Sequence, residues 1–228
     1  MPRILAIETS SRACSAALLW DGRVFERREA TERGHSEHLL EMAGDLLAEA
    51  GATLSALEAV AFGRGPGSFT GVRVAAAVAQ GLAFGSGAGV IPVSSLAALA
   101  LQGIQASGCE RALVATDARM GEVYWGAFCV RGGEGLEAVG PERVLPPAAA
   151  PVPAGSGWVG VGDGWEAHRE VLRARCGGGL AAVLADRMPQ AREVLALAVP
   201  EAEAGRILAP EEALPVYLRD RVVQSPGR

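Results

Sequence analysis

At 228 residues, half of them hydrophobic and 21% charged, with a net charge of -5, the chain can form one large domain or two small ones and has a globular composition. Its 21 basic residues are all arginine and form no basic run, which makes it a poor independent nucleic-acid binder, one that could contribute such contacts inside a complex. Four scattered cysteines (Cys14, Cys109, Cys129, Cys176) without a CxxC pair, apolar runs too short to span a bilayer and an N-terminus without a leader pattern point to a cytoplasmic protein with free thiols and no membrane partner.

The chain opens on Arg3 to Thr9, a short apolar run ending at Glu8 and small hydroxyls, the pattern of a buried strand entering a loop. Cys14 to Trp20 and Arg23 to Arg28 flank Asp21-Gly22, a strong hairpin signal. From His35 to Ala50, Leu39, Leu40, Ala43, Leu46, Leu47 and Ala50 recur at helical spacing, and Gly51 stops the helix. Ala59 to Phe62 is a fourth strand. The segment Gly63-Arg64-Gly65-Pro66-Gly67-Ser68-Phe69-Thr70-Gly71 then reads as a tight loop that is neither helix nor strand.

Behind it, Val72 to Phe84 is a small-residue helix that Ser68 or Thr70 can cap. Its two polar side chains, Arg73 and Gln80, share one face, so the helix needs cover on nearly every side. Gly89 to Val93 is a fifth strand, followed by a helix from Ser95 to Gln105.

The second half begins alike: Arg111 to Asp117 is an apolar run ending on an acid, Glu122 to Val130 a strand, Gly132-Gly133 a turn, with a further strand from Leu136. This repetition predicts a duplicated unit of mixed sheet and helices, an α/β protein of two similar lobes. Lobe boundaries are expected at residues 1–105 and 106–228, with a tail from 206 packing back on the first lobe. Leu145 to Gly157 reads as loop and Trp158 to Val161 as strand, and Trp165 to Arg175 and Gln190 to Val199 as helices. Pro215 to Asp220 is extended before a disordered end at Ser225 to Arg228.

The glycine segment lies where a phosphate cradle would lie, between a strand and a helix N-terminus. It carries no Gly-Lys-Ser/Thr, however, the Rossmann spacing fails at Thr70, and the GxSxG elbow is missed at Pro66 and Thr70. Close packing or an interface is the better use. His35 and His38 lack a third ligand, so no metal site is expected. Glu8 and Asp117 sit where two-lobed nucleotide-binding folds place acids that hold a metal or water beside a phosphate, but capping their own turns is the better reading.

Taken together, Ile4 to Ser10, Gly63 to Arg73, Val93 to Leu96, Asp117 to Tyr124 and Pro215 to Arg219 resemble the TsaB (YeaZ) family in order along nearly the whole chain. That resemblance implies an actin-like ASKHA fold and a part in making threonylcarbamoyladenosine beside the anticodon of tRNAs that read ANN codons. In that pathway TsaC makes threonylcarbamoyl-adenylate, the paralogue TsaD transfers the group to adenosine, and TsaE is an associated ATPase.

TsaD carries a His-x-x-x-His metal motif where this chain reads Val93 to Ala100 without histidine, so the chain resembles the catalytically silent partner. Glu8 stands where these chains often have Asp. The resemblance implies that the helices at His35 to Ala50 and Val72 to Phe84 pair with the same helices of TsaD, or with a second copy when TsaD is absent. The interface would then include His35, Leu39, Leu40, Ala43, Leu46, Leu47, Arg73, Val74, Ala77, Val78 and Gly81. It further implies no tightly bound cofactor, with ATP or ADP only between subunits, a vestigial nucleotide site at Glu8, Ser10, Asp117 and Arg119, and tRNA met through the complex. The rival readings are an independent ATPase or hydrolase using Glu8 and Asp117, and a dinucleotide-binding module.

Overall fold

A computed structural model of the chain describes residues 1–30, 34–131 and 134–219. The expected turn at Gly132-Gly133 and the tail end at Ser225 to Arg228 lie outside them. β1 (Ile4–Glu8), β2 (Ala13–Trp20) and β3 (Arg23–Ala30) form the antiparallel meander that the alternation predicts. Asp21 and Gly22 both take positive φ, 48° and 75°, as the two-residue hairpin turn requires. β4 (Ala59–Gly63) and β5 (Gly89–Val93) add parallel strands, giving a sheet in the order β3-β2-β1-β4-β5.

The second sheet comprises β6 (Arg111–Asp117), β7 (Val123–Arg131), β8 (Glu134–Ala138), β9 (Arg143–Leu145), β10 (Trp158–Val161) and β11 (Leu180–Leu184). Its path β8-β7-β6-β10-β11 repeats the first sheet strand for strand, with the same two antiparallel and two parallel pairings. The duplicated unit expected from the two openings is therefore present in the topology. β9, an extra short strand on β7, lies partly in a stretch read as loop. β11 was not expected: its apolar run Leu180 to Leu184 follows directly on Gly177-Gly178-Gly179 and, with none of its residues fully buried, lies at the sheet's edge.

The helices show why two lobes make one molecule. α1 (His35–Glu49) and α2 (Phe69–Ser86) cover one face of the first sheet, with Leu39, Met42, Ala43 and Leu46 meeting Leu5, Ile7, Val60 and Phe62. α3 (Ser95–Ser107) follows the first sheet in sequence, but Leu96, Leu99 and Ala100 pack on Val114, Phe128 and Val159 of the second. α4 (Gly164–Ala167) and α5 (Arg169–Cys176) cover the second sheet's other face around Trp125 and Trp165. α6 (Ala191–Glu203) crosses back, burying Val194, Leu195 and Ala198 against Ile4, Ala6 and Ile91.

The packing crosses the expected boundary at residue 105, because the last helix of each lobe covers the other lobe's sheet. The chain beyond α6 also returns to the first lobe: Val90 and Leu208 exchange backbone hydrogen bonds of 2.9 Å, and Val216 N–H donates to the Arg64 carbonyl at 2.8 Å.

Two helix boundaries differ from expectation. The helix predicted from Trp165 to Arg175 breaks at His168, whose φ of −129° and ψ of 35° leave the helical region. α6 runs past Val199 to Glu203 through Pro200, which local spacing did not anticipate because the packed face continues to Ala202. Among the described residues no helix is long and apolar enough to cross a membrane.

Candidate functional site

The glycine segment is shorter as a loop than its composition suggested. Gly63 completes β4, Ser68 caps α2 by accepting from Gly71 N–H at 3.4 Å, and Phe69, Thr70 and Gly71 form the first helical turn. A cap three residues before Gly71 outweighs that glycine's poor helix propensity. What remains, Arg64 to Gly67, folds down onto the turn after β1. Ser68 N–H donates to the Ser10 carbonyl at 2.7 Å, Thr9 Oγ1 donates to the Gly71 carbonyl at 2.8 Å, and Ser95 N–H donates to the Gly65 carbonyl at 3.0 Å.

This approach accounts for the glycines. A methyl group on Gly71 would stand 1.9 Å from the Thr9 carbonyl oxygen, one on Gly67 2.5 Å from that of Ser10, and one on Gly63 1.9 Å from Glu8 Oε2. The Cα faces of these glycines are thus filled by this chain's own backbone and by Glu8, so close packing requires glycine at these three positions. Gly65 has φ of +92° and precedes Pro66 through a cis peptide bond.

Glu8 is fully buried. Its Oε1 accepts from Ser10 N–H at 2.5 Å and its Oε2 from Ser95 Oγ–H at 2.8 Å. Burial pushes its pKa above the ordinary 4.5, while the donors of Ser10 and Ser95 pull the other way. A carboxyl that binds its proton more tightly when folded gives most stability below the unfolded value. That contribution is lost as pH rises from about 4.5 through the raised native value. Glu8→Gln is therefore expected to flatten part of the decline in urea midpoint as pH rises above about 4.5. Glu142 and Glu193, raised by burial in the same direction, keep the rest of it. An unchanged slope in the variant would refute this role for Glu8.

Asp117 is engaged locally in the second lobe. Its Oδ1 accepts from Arg119 N–H at 2.8 Å, its Oδ2 pairs with Arg119 Nη1 at 3.2 Å, and its own N–H donates to Asp163 Oδ1 at 2.9 Å. Among the described residues no hydrogen bond joins the pair Glu8 and Ser10 to the pair Asp117 and Arg119. Asp117 serves its own turn, and Glu8 ties its own turn to the start of α3 through Ser95. His38 Nδ1 lies 3.2 Å from Glu29 Oε2 across on β3, and His35 is half-buried at the start of α1.

The expected interface residues divide by burial. Leu39, Ala43 and Leu46 belong to the chain's own core and are removed from any partner-facing set; helical period alone shows which residues share a face, not whose core covers it. Leu40, 52% exposed, lies on the solvent side of α1, with Leu47 half-buried beside the core. On α2, Arg73, Ala77, Gly81 and Phe84 form an exposed stripe, with Val74 and Val78 half-buried along its flank. Phe84 is 60% exposed. Gln80, predicted to share a face with Arg73, turns partly inward and donates through Nε2 to the Pro210 carbonyl at 3.1 Å.

Other residues reach this region without a local sequence signal. Tyr217 comes from the C-terminal segment to lie 6.1 Å from Phe69, ring centre to ring centre. Arg219 pairs with Glu122 in the second lobe, and Ser94 Oγ donates to Glu142. Val93 to Ala100 is the end of β5 and the first turn of α3, where Ser94 accepts from Ala97 N–H at 3.1 Å and Ser95 holds Glu8.

The sequence comparisons cover nearly the whole chain. The protein named tRNA threonylcarbamoyladenosine biosynthesis protein TsaB from Escherichia coli is 40% identical, with 99% of each chain covered. The chain belongs to the TsaB (YeaZ) family. The Haemophilus influenzae protein of the same name is 37% identical over 99% of this chain and 98% of its own. Among solved structures, YeaZ from Pseudomonas aeruginosa superposes with a TM-score of 0.87 at 45% identity, covering 96% of this chain and all of that one. Residues 28–223 also match the family model described as TsaD, tRNA N6-adenosine threonylcarbamoyltransferase. The two-lobed, actin-like α/β architecture implied by the family motifs is the one observed.

Proposed function

We propose that the chain is a non-catalytic scaffold subunit of the machinery that makes threonylcarbamoyladenosine in tRNA. It binds and activates a TsaD-type transferase, together with a TsaE-type ATPase, through the solvent face of α1 and α2, and pairs with itself through that face when the transferase is absent. One observation carries this reading: α2 turns a stripe of Ala77, Gly81 and Phe84 to solvent, and the neighbouring α1 exposes Leu40. Small residues let a partner helix come close, and large apolar side chains around them supply area to bury.

The filled glycine segment and the locally engaged acids support a supporting role over turnover by this chain alone. A net charge of -5 without a basic cluster supports tRNA contact through the assembly. Reconstitution with purified transferase, ATPase, threonylcarbamoyl-adenylate and tRNA tests the reading. Modification is expected with the chain present and at least tenfold less without it; equal modification in both reactions would sink the idea. Nucleotide hydrolysis by the chain alone that is lost in Glu8→Ala would favour the rival enzyme.

A separate stability measurement probes the same stripe. A methyl group added to Gly81 meets nothing within 4 Å, so Gly81→Ala is expected to stabilise the free chain by about 0.5–1 kcal/mol. A lower urea midpoint than wild type would show that α2 is less exposed there than described.

A further inference from the structure

The exposed face of α2 holds a cation in a defined place. The Arg73 guanidinium carbon lies 3.3 Å from the centre of the Phe69 ring and 4.9 Å from that of Tyr217. Its Nη1 donates to the Phe69 carbonyl at 3.3 Å. Tyr217 is placed by its neighbours, Val216 on the Arg64 carbonyl and Arg219 on Glu122. Two aromatic rings from distant parts of the chain thus orient one guanidinium.

Most of that guanidinium's donors are unused. Among the described residues Arg73 makes no ion pair, whereas Arg3, Arg27, Arg192 and Arg206 each have a glutamate. The position of Arg73 within an apolar stripe makes this informative. A partner seated over Ala77 and Phe84 would strip water from Arg73 as well, and a buried cation without an acid is strongly unfavourable. The covering surface must bring its own anion to this point.

We infer that Arg73, clamped by Phe69 and Tyr217, is the polar anchor of the α1–α2 face and receives an aspartate or glutamate side chain of the transferase-type subunit that covers α2. This rests on the scaffold reading above. An RNA phosphate is a poorer match, because phosphate recognition uses several cations and Arg73 is the one charged residue in α2. Neighbouring α1 presents Glu37, Glu41 and Asp45 to solvent, which repel a polyanion. An arginine flanked by aromatics at the end of an apolar stripe is the composition of a protein–protein hot spot.

Isothermal titration of the full chain into the purified transferase subunit tests the anchor, with Ala77→Arg as the control for the face itself. Arg73→Ala is expected to weaken association on the order of 30-fold and Arg73→Glu by more than about 100-fold. Arg73→Lys should fall between wild type and Arg73→Ala, since it keeps the charge without the planar fork. Because Arg73 is exposed, thermal midpoints of the free variants should match wild type. If the Arg73 variants bind within twofold of wild type while Ala77→Arg does not bind, the face stands and the anchor is overturned. Normal binding by Ala77→Arg as well would overturn the scaffold reading and the anchor with it. Reduced tRNA retention by the assembled complex, with subunit affinity unchanged in Arg73→Ala, would make Arg73 a phosphate contact and also overturn the inference.

Discussion

Gly71→Ala is expected to destabilise the free chain by about 3 kcal/mol or more, at the upper end for overpacking a close-fitted site. The added carbon would lie 1.9 Å from the Thr9 carbonyl oxygen and 3.0 Å from its carbonyl carbon. Both are backbone atoms, so no side-chain rotation relieves the contact. Thr9 follows β1, which is paired on both sides by β2 and β4, and its Oγ1 is bonded to the Gly71 carbonyl. Moving α2 away would open the core around Ala75, Ala76 and Ala79. The helix-propensity gain of alanine over glycine, about 1 kcal/mol, offsets only part of this. Urea unfolding followed by far-UV circular dichroism measures the change. A loss below about 0.5 kcal/mol would mean that the segment does not lie on the β1 turn as described.

The second large effect concerns association. Ala77 is exposed at the middle of the α2 stripe, so Ala77→Arg should leave the urea midpoint of the free chain nearly unchanged. With the transferase-type subunit the expectation reverses. A guanidinium forced under a partner helix without an acid opposite costs roughly 2–5 kcal/mol, enough to weaken binding by about 30-fold or more. Co-purification and the tRNA modification assay should fail together. A variant that folds, binds and supports modification like wild type would refute the assigned face. Val74→Glu is a poorer probe, because Val74 packs partly against the core and the substitution would also disturb the free chain.

Much of the fold was legible because its signals are local. Asp21-Gly22 can satisfy two positive φ values with little strain, Gly51 ends α1, and the repeated opening at Arg3 and Arg111 announced the duplication seen in the sheets. β9 was not legible because it is only three residues long, and β11 because a short apolar run such as Leu180 to Leu184 is not by itself distinguishable from helix or loop. The exchange of α3 and α6 between lobes was hidden for another reason. An apolar helix face records that it is covered but not which sheet covers it.

The candidate surface divides in the same way. From sequence alone came the small-residue helix, its need for extra cover, and the failure of the glycine segment to match any phosphate-binding spacing. Tertiary structure alone decided that Leu39, Ala43 and Leu46 face inward while Ala77, Gly81 and Phe84 face out. It also brought Tyr217 to Phe69 and Arg73, and buried Glu8 beneath Gly63. Periodicity along a chain fixes relative orientation within one element, whereas exposure and long-range contact depend on what the rest of the chain places against it.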